Sequence, residues 1–201
     1  MNPDNKFNLQ QFFGDASVKR SRDLEAAGLN RVRLAAAVRE GQVERLGRGL
    51  YRLAEGPVTE NHSLVLAAKR VPRGVICLLS ALRFHNLTTQ SPHEVWMALP
   101  LHSWHPTGDG QPLRLIWLSP QCFEADVETH EIEGMSVQVY SAAKTVADCF
   151  KYRNKIGVDV ALEALRDAWR AKRCSMDELM KAARQCRVAN VMRPYLESLT
   201  Q

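Results

Sequence analysis

Apolar positions change spacing along this chain, and the changes mark out its elements. Leu9, Phe12 and Phe13 fall within a short segment, Asn8 to Gly14, that predicts a first helix. Ser17 is an N-cap candidate for a second helix, Ser17 to Ala27, with Val18, Leu24 and Ala27 as its buried stripe and Gly28 as its stop. Leu29 plugs the turn. Asn30 caps a third helix to Glu40, ended by Gly41, in which Leu34, Ala37 and Val38 share the core face. Gly41 to Leu53 then reads as a β-hairpin with Gly47-Arg48-Gly49 at its tip, two glycines supplying positive φ. Helix, glycine turn, helix and hairpin, in that order, predict a winged helix-turn-helix over residues 1–55.

A boundary is expected at Glu55-Gly56-Pro57. Beyond it the pattern is mixed: a helix from Glu60 to Val71 capped by Thr59, an apolar strand Val75 to Leu78, and a short helix Ser80 to Leu87. Strands follow at Val95 to Leu99 and Leu113 to Leu118, separated by a loop, Leu101 to Pro112. Glu128–Ile132 and Val137–Tyr140, around Gly134-Met135, predict a second hairpin. The remainder is helical: Ala142 to Arg153 capped by Ser141, Val158 to Lys172, a helix to Cys186 opened by the capping box Ser175–Glu178, and Asn190 to Leu199 with Pro194 near its first turn. The fold class expected is α+β: the winged helix, then residues 56–201 as an α+β domain with a small mixed sheet and a C-terminal helical cluster.

Charge singles out the first module. Between Ser17 and Arg52 stand nine basic residues (Lys19, Arg20, Arg22, Arg31, Arg33, Arg39, Arg45, Arg48, Arg52) against four acidic ones (Asp23, Glu25, Glu40, Glu44), a local excess equal to the +5 of the whole chain. The basic surface is therefore local, as a DNA-binding module requires. On the third helix Arg33, Ala36 and Arg39 lie away from the core with Val32 beside them. Small alanines let a helix sit deep in a major groove, and arginines there reach guanine edges or phosphates. Lys19 and Arg20, placed near the start of the second helix, suit phosphates. Arg45 and Arg52 on the hairpin arms and Arg48 at its tip can lie along a backbone. With Asn30 and Arg31 at the start of the third helix, these residues make up the expected interface with double-stranded DNA.

At 201 residues the chain is long enough to bury a substantial core in one or two small domains. Its five cysteines are odd in number and widely spaced, without a C-x-x-C, which reads as thiols in a reducing cytoplasm. No run approaches the ~18 apolar residues of a membrane span, and the N-terminus is polar without a signal-peptide pattern. His93, His102 and His105 cluster near one loop but lack a cysteine or carboxylate at metal-ligand spacing. Phosphate-binding, dinucleotide-binding, nucleophile-elbow and zincin motifs are absent from the sequence. Glu131 and Glu133 read as a solvated strand face, and Lys144 with Asp148 as an i,i+4 pair on the outside of a helix. No cofactor, metal or catalytic residue is expected.

Several stretches resemble the AbiEi family of antitoxins from type IV toxin–antitoxin systems. They are Gly41 to Leu53, Leu79-Ser80-Ala81-Leu82-Arg83-Phe84-His85-Asn86-Leu87-Thr88, Pro92-His93-Glu94-Val95-Trp96-Met97-Ala98, Lys144 to Arg153, and Arg193-Pro194-Tyr195-Leu196-Glu197. The resemblance implies a winged helix that binds inverted repeats in its own promoter and represses the operon. It also implies a C-terminal domain that counteracts a nucleotidyltransferase-like toxin. Two other readings stand beside it: a winged-helix regulator whose second domain is a ligand sensor or nuclease, and a winged helix used for protein contact.

Overall fold

The computed structural model of the chain describes residues 9–14, 16, 18–54, 59–104 and 111–199. They form two compact units. The first holds residues up to Pro72 together with Gln111 and Glu131–Ser136, and the second holds the remainder.

The first unit runs α1 (Gln10–Phe13), β1 (Val18–Arg20), α2 (Ser21–Ala26), α3 (Arg31–Arg39), β2 (Val43–Gly47), β3 (Leu50–Leu53) and α4 (His62–Arg70). Local chemistry sets the turn between α2 and α3. Gly28 takes φ +97°, and the Leu29 N–H donates to Leu24 O at 2.9 Å, closing α2 with a Schellman-type bond. Asn30 Oδ1 accepts from the Arg33 N–H at 2.9 Å and so caps α3. Gly41, at φ +72°, ends α3 in the same way. Leu9, Phe12, Phe13, Leu24, Leu29, Leu34, Ala37 and Val43 form the core between these helices.

Three features of this unit differ from expectation. The second helix begins at Ser21, because Val18–Arg20 is a strand antiparallel to β3, with Val18 opposite Arg52 and Arg20 opposite Leu50. Pairing there satisfies the outer edge of β3 and buries Val18 completely. Ser17, the expected cap, lies outside the described residues, and Ala27, expected on the buried stripe, is exposed. The hairpin uses only one positive-φ glycine, Gly49 at +70°, while Gly47 stays in β2 opposite Leu50 and a register shift between Arg45 and Gly47 takes up Leu46. Third, α4 follows the expected boundary yet packs on β1 within the first unit, and residues 55–58 lie outside the described set.

The second unit contains β4 (Val75–Ile76), α5 (Leu78–Phe84), β5 (Val95–Pro100), β6 (Leu113–Leu118), α6 (Pro120–Phe123), β7 (Val127–Ile132), β8 (Met135–Tyr140), α7 (Ala142–Lys151), α8 (Arg153–Ile156), α9 (Val158–Arg170), α10 (Met176–Gln185) and α11 (Ala189–Glu197). Its sheet runs β6-β5-β4-β8-β7, with β4 antiparallel to β5 and parallel to β8, and β5 parallel to β6. The mixed sheet followed by helices is the α+β arrangement expected. The core centres on α7, where every residue from Ala142 to Phe150 is buried and whose neighbours include α5, α9 and α10.

That burial corrects the reading of Lys144 and Asp148. Both side chains are fully enclosed, with Nζ 2.5 Å from Asp148 Oδ2. The helix is covered on every side, so an i,i+4 pattern that is ordinary on a surface here lies inside. Glu133 is a second correction. It occupies the turn between β7 and β8 at φ +53°, and its buried carboxylate accepts from the Thr59 N–H at 2.7 Å, with His62 Nδ1 2.7 Å from its other oxygen. Pro194, finally, falls in the interior of α11, because that helix starts at Ala189.

Candidate nucleic-acid interface

The expected interface residues separate into an exposed group and a group engaged in the unit's own packing. Asn30, Arg31 and Arg33 at the start of α3, Arg39 in its last turn, Arg45 on β2 and Arg48 in the hairpin turn are exposed. Ala36 is half-buried on α3. Lys19, Arg20 and Arg52 are half-buried on the sheet.

Each member of the inner group has an internal reason to be there. Lys19 lies on β1 rather than at a helix start, and its ammonium donates to Phe12 O at 2.9 Å, closing the end of α1. Arg20 ends the same strand, with one terminal guanidinium nitrogen buried and without a hydrogen-bond partner. Burial, then the neighbouring Arg22, lowers its pKa against the pull of Asp23. Arg52 pairs with Glu44 directly across the β2–β3 ladder. These three side chains shape the sheet, and reaching a phosphate requires each to leave a partner or a packed position.

Arg31 and Arg45 make local contacts. Arg31 Nε donates to Glu25 Oε1 at 2.6 Å, a hydrogen bond that raises its pKa. Arg45 Nε donates to Gly47 O at 3.3 Å. An exposed ion pair is weak and screened by salt, so a phosphate competes readily with Glu25 for Arg31. A cavity of about 330 Å³ lies beside this surface, with Glu25, Arg31, Arg45 and Tyr51 among its lining residues. The hairpin is tied to the helices by the Ser21 N–H, which donates to Gly49 O at 2.9 Å. A Cβ on Gly49 would stand 3.4 Å from Ser21 Oγ, so the turn sits close over the start of α2. That bond holds Arg48 in a fixed relation to the helix-turn-helix. The result is two arginine-bearing edges, α3 and the wing, on one small scaffold. Such a scaffold presents cations to a duplex without ordering a long loop.

Residues 20–54 match the model of the family described as "Transcriptional regulator, AbiEi antitoxin". The AbiEi match starts at the last residue of β1 and ends just past the wing, so it takes in every expected interface residue except Lys19. No curated protein matches the chain. The AbiEi description names a transcriptional regulator and an antitoxin. Among the described residues no group of three or more His, Cys, Asp or Glu side chains is placed to hold a metal ion, and no helix is long and apolar enough to cross a membrane.

Outside the matched span, the side chains with the strongest chemistry are enclosed. Asp148 also accepts from Cys186 Sγ at 3.2 Å, and the Lys144 ammonium lies 4.2 Å from the centre of the Tyr140 ring. Burial pulls the Lys144 pKa down, but the charge and hydrogen bond of Asp148 together with the nearby Cys186 and Cys122 raise it, and the net shift is upward. Burial raises Cys77, Cys149 and Cys186, keeping them as neutral thiols. This cluster is enclosed in the core around α7. One exposed side chain was not among the expected contacts: Val32, 79% exposed on α3.

Proposed function

We propose that the chain is an operator-binding repressor that also acts as an antitoxin, in the cytoplasm. Residues 1–55 read inverted repeats in its own promoter, and residues 56–201 counteract a nucleotidyltransferase-like toxin. The observation that carries the DNA half is the exposure of Arg33 and Arg39 on α3 together with Arg48 on a wing hydrogen-bonded to α2. The AbiEi match over residues 20–54 supports the regulatory reading. In this reading Arg33 and Arg39 face the major groove, and Arg31, Arg45 and Arg48 contact phosphates. Asn30 holds the cap that sets the first turn of α3.

The test separates the two halves in the intact chain. Gel shifts with the DNA upstream of its own gene should be sequence-specific and salt-sensitive, and the Arg33→Glu/Arg48→Glu double variant should abolish them. The same variant should still rescue growth when co-expressed with a toxic neighbouring nucleotidyltransferase-like gene. Unchanged DNA binding in the double variant sinks the interface. Loss of rescue along with DNA binding sinks the division of labour.

A further inference from the structure

We propose that Val32 reads a thymine, its side chain packing against the 5-methyl group in the major groove. The inference rests on the DNA-binding reading above and adds the base that α3 recognises.

Three observations lead to it. Val32 is 79% exposed, while Leu34 and Ala37 of the same helix are each 3% exposed. At 100° per residue Val32 stands roughly opposite that buried pair, in the middle of the outward face. Its neighbours one and two turns along, Ala36 and Arg39, continue the face with a small side chain and a cation. The outward strip therefore carries an apolar group at its N-terminal end and an arginine at its C-terminal end. Val32 is the second residue of α3, and recognition helices contact base edges through their N-terminal residues.

Chemistry favours an apolar ligand. In the unliganded chain this valine buries little, and a β-branched residue at an exposed helical position forms helix less well than alanine. The same branching leaves χ1 in essentially one rotamer, so its methyl groups are already positioned and little entropy is lost on contact. On the floor of a major groove, the apolar group that a side chain meets is the thymine 5-methyl. Flanking alanines leave room for the helix to approach that closely, and Arg33 and Arg39 supply cations on either side.

The experiment uses the full-length protein and a random duplex library. Selected sites are resynthesised with deoxyuridine replacing thymidine one position at a time, which deletes the methyl group and leaves the base-pairing edge intact. Wild type should lose about fourfold in affinity at one thymine per half-site, the effect of one buried methyl group. Val32→Ala should bind the unmodified site about fourfold more weakly and show no further loss on deoxyuridine substitution at that thymine. Helix formation is not at risk, because alanine favours the helix. Equal binding of thymine and uracil sites by wild type overturns the assignment, as does a Val32→Ala protein that still discriminates at that position. If no specific site is selected, the DNA-binding reading falls and this inference with it.

Discussion

Asp148→Ala should be among the most destabilising single changes in the second unit. In the native chain the Asp148 carboxylate is fully enclosed, 2.5 Å from Lys144 Nζ and 3.2 Å from Cys186 Sγ. Truncation leaves an ammonium group inside the core with the face of Tyr140 as its nearest remaining partner. Breaking a buried pair by deleting one partner costs about 3–5 kcal/mol, because the other charge is left uncompensated. Lys144 can escape only by losing its proton, which costs about 1.4 kcal/mol for each unit between its ordinary pKa and the ambient pH. Against a total stability of about 5–15 kcal/mol the loss is large. Urea unfolding followed by tryptophan fluorescence reads it, since Trp96 and Trp169 lie in the second unit. Lys144→Met/Asp148→Leu, which removes both charges and keeps volume, should recover most of the loss. The native pair has its own pH signature. With the Lys144 pKa raised above its ordinary value, its stabilisation is complete below that value and disappears only as pH climbs through the folded pKa. A cost below about 1 kcal/mol for Asp148→Ala, or a double variant as unstable as the single, refutes this account.

Other expectations concern the first unit. Arg48→Ala should weaken operator binding across all sequences and reduce the slope of log K against log salt by about one unit, measured by titrations at several salt concentrations. Asn30→Ala removes the α3 cap and should destabilise the first unit by about 1 kcal/mol in denaturant titrations, with Asn30→Ser close to wild type. Gly49→Ala forces an L-residue to φ +70° and sets a Cβ 3.4 Å from Ser21 Oγ, so it should cost about 1 kcal/mol and weaken DNA binding together with the wing. At Asp23, burial raises the pKa, but the charge and hydrogen bond of Lys69, with the Arg20 N–H and the Arg22 charge, lower it and the net shift is downward. Its contribution is therefore present above the ordinary aspartate pKa and lost as pH falls through the folded one, and Lys69→Met should flatten that acid limb in a stability-versus-pH series.

Where neighbours in sequence decide the geometry, the chain was readable. Gly28, Asn30 and Gly41 bracket α3 because each acts within a few residues of itself, and their roles follow from residue type alone. The same locality made the wing and the exposed arginines legible. Contacts between distant positions were not. Val18–Arg20 is too short to show a period, and the strand that selects it, β3, lies some thirty residues on. Once β1 forms, Lys19 and Arg20 lie half-buried on a strand, where a helix start was expected. Lys144 and Asp148 carry the spacing of any surface ion pair, and only the helices packed round α7 make them internal. Glu133 looked like one member of an alternating strand, whereas the Glu133-Gly134 turn and the partners Thr59 and His62 decide its place.

The position of β3 between β1 and β2 has a consequence for anyone transplanting this unit into another protein. A graft cut at the first matched residue, Arg20, carries both helices and the wing but leaves behind Val18, Lys19 and the aromatics of α1. It would leave one side of β3 largely unpaired, a ready template for another chain. A graft that keeps β1 and α4 has to begin at or before Leu9 and run on through α4 to Pro72, because α4 packs on β1 and Lys69 reaches Asp23 at the start of α2. It still leaves behind Glu133, the partner of Thr59 and His62 in the same unit. The portable element is about twice as long as the stretch that reads as a motif.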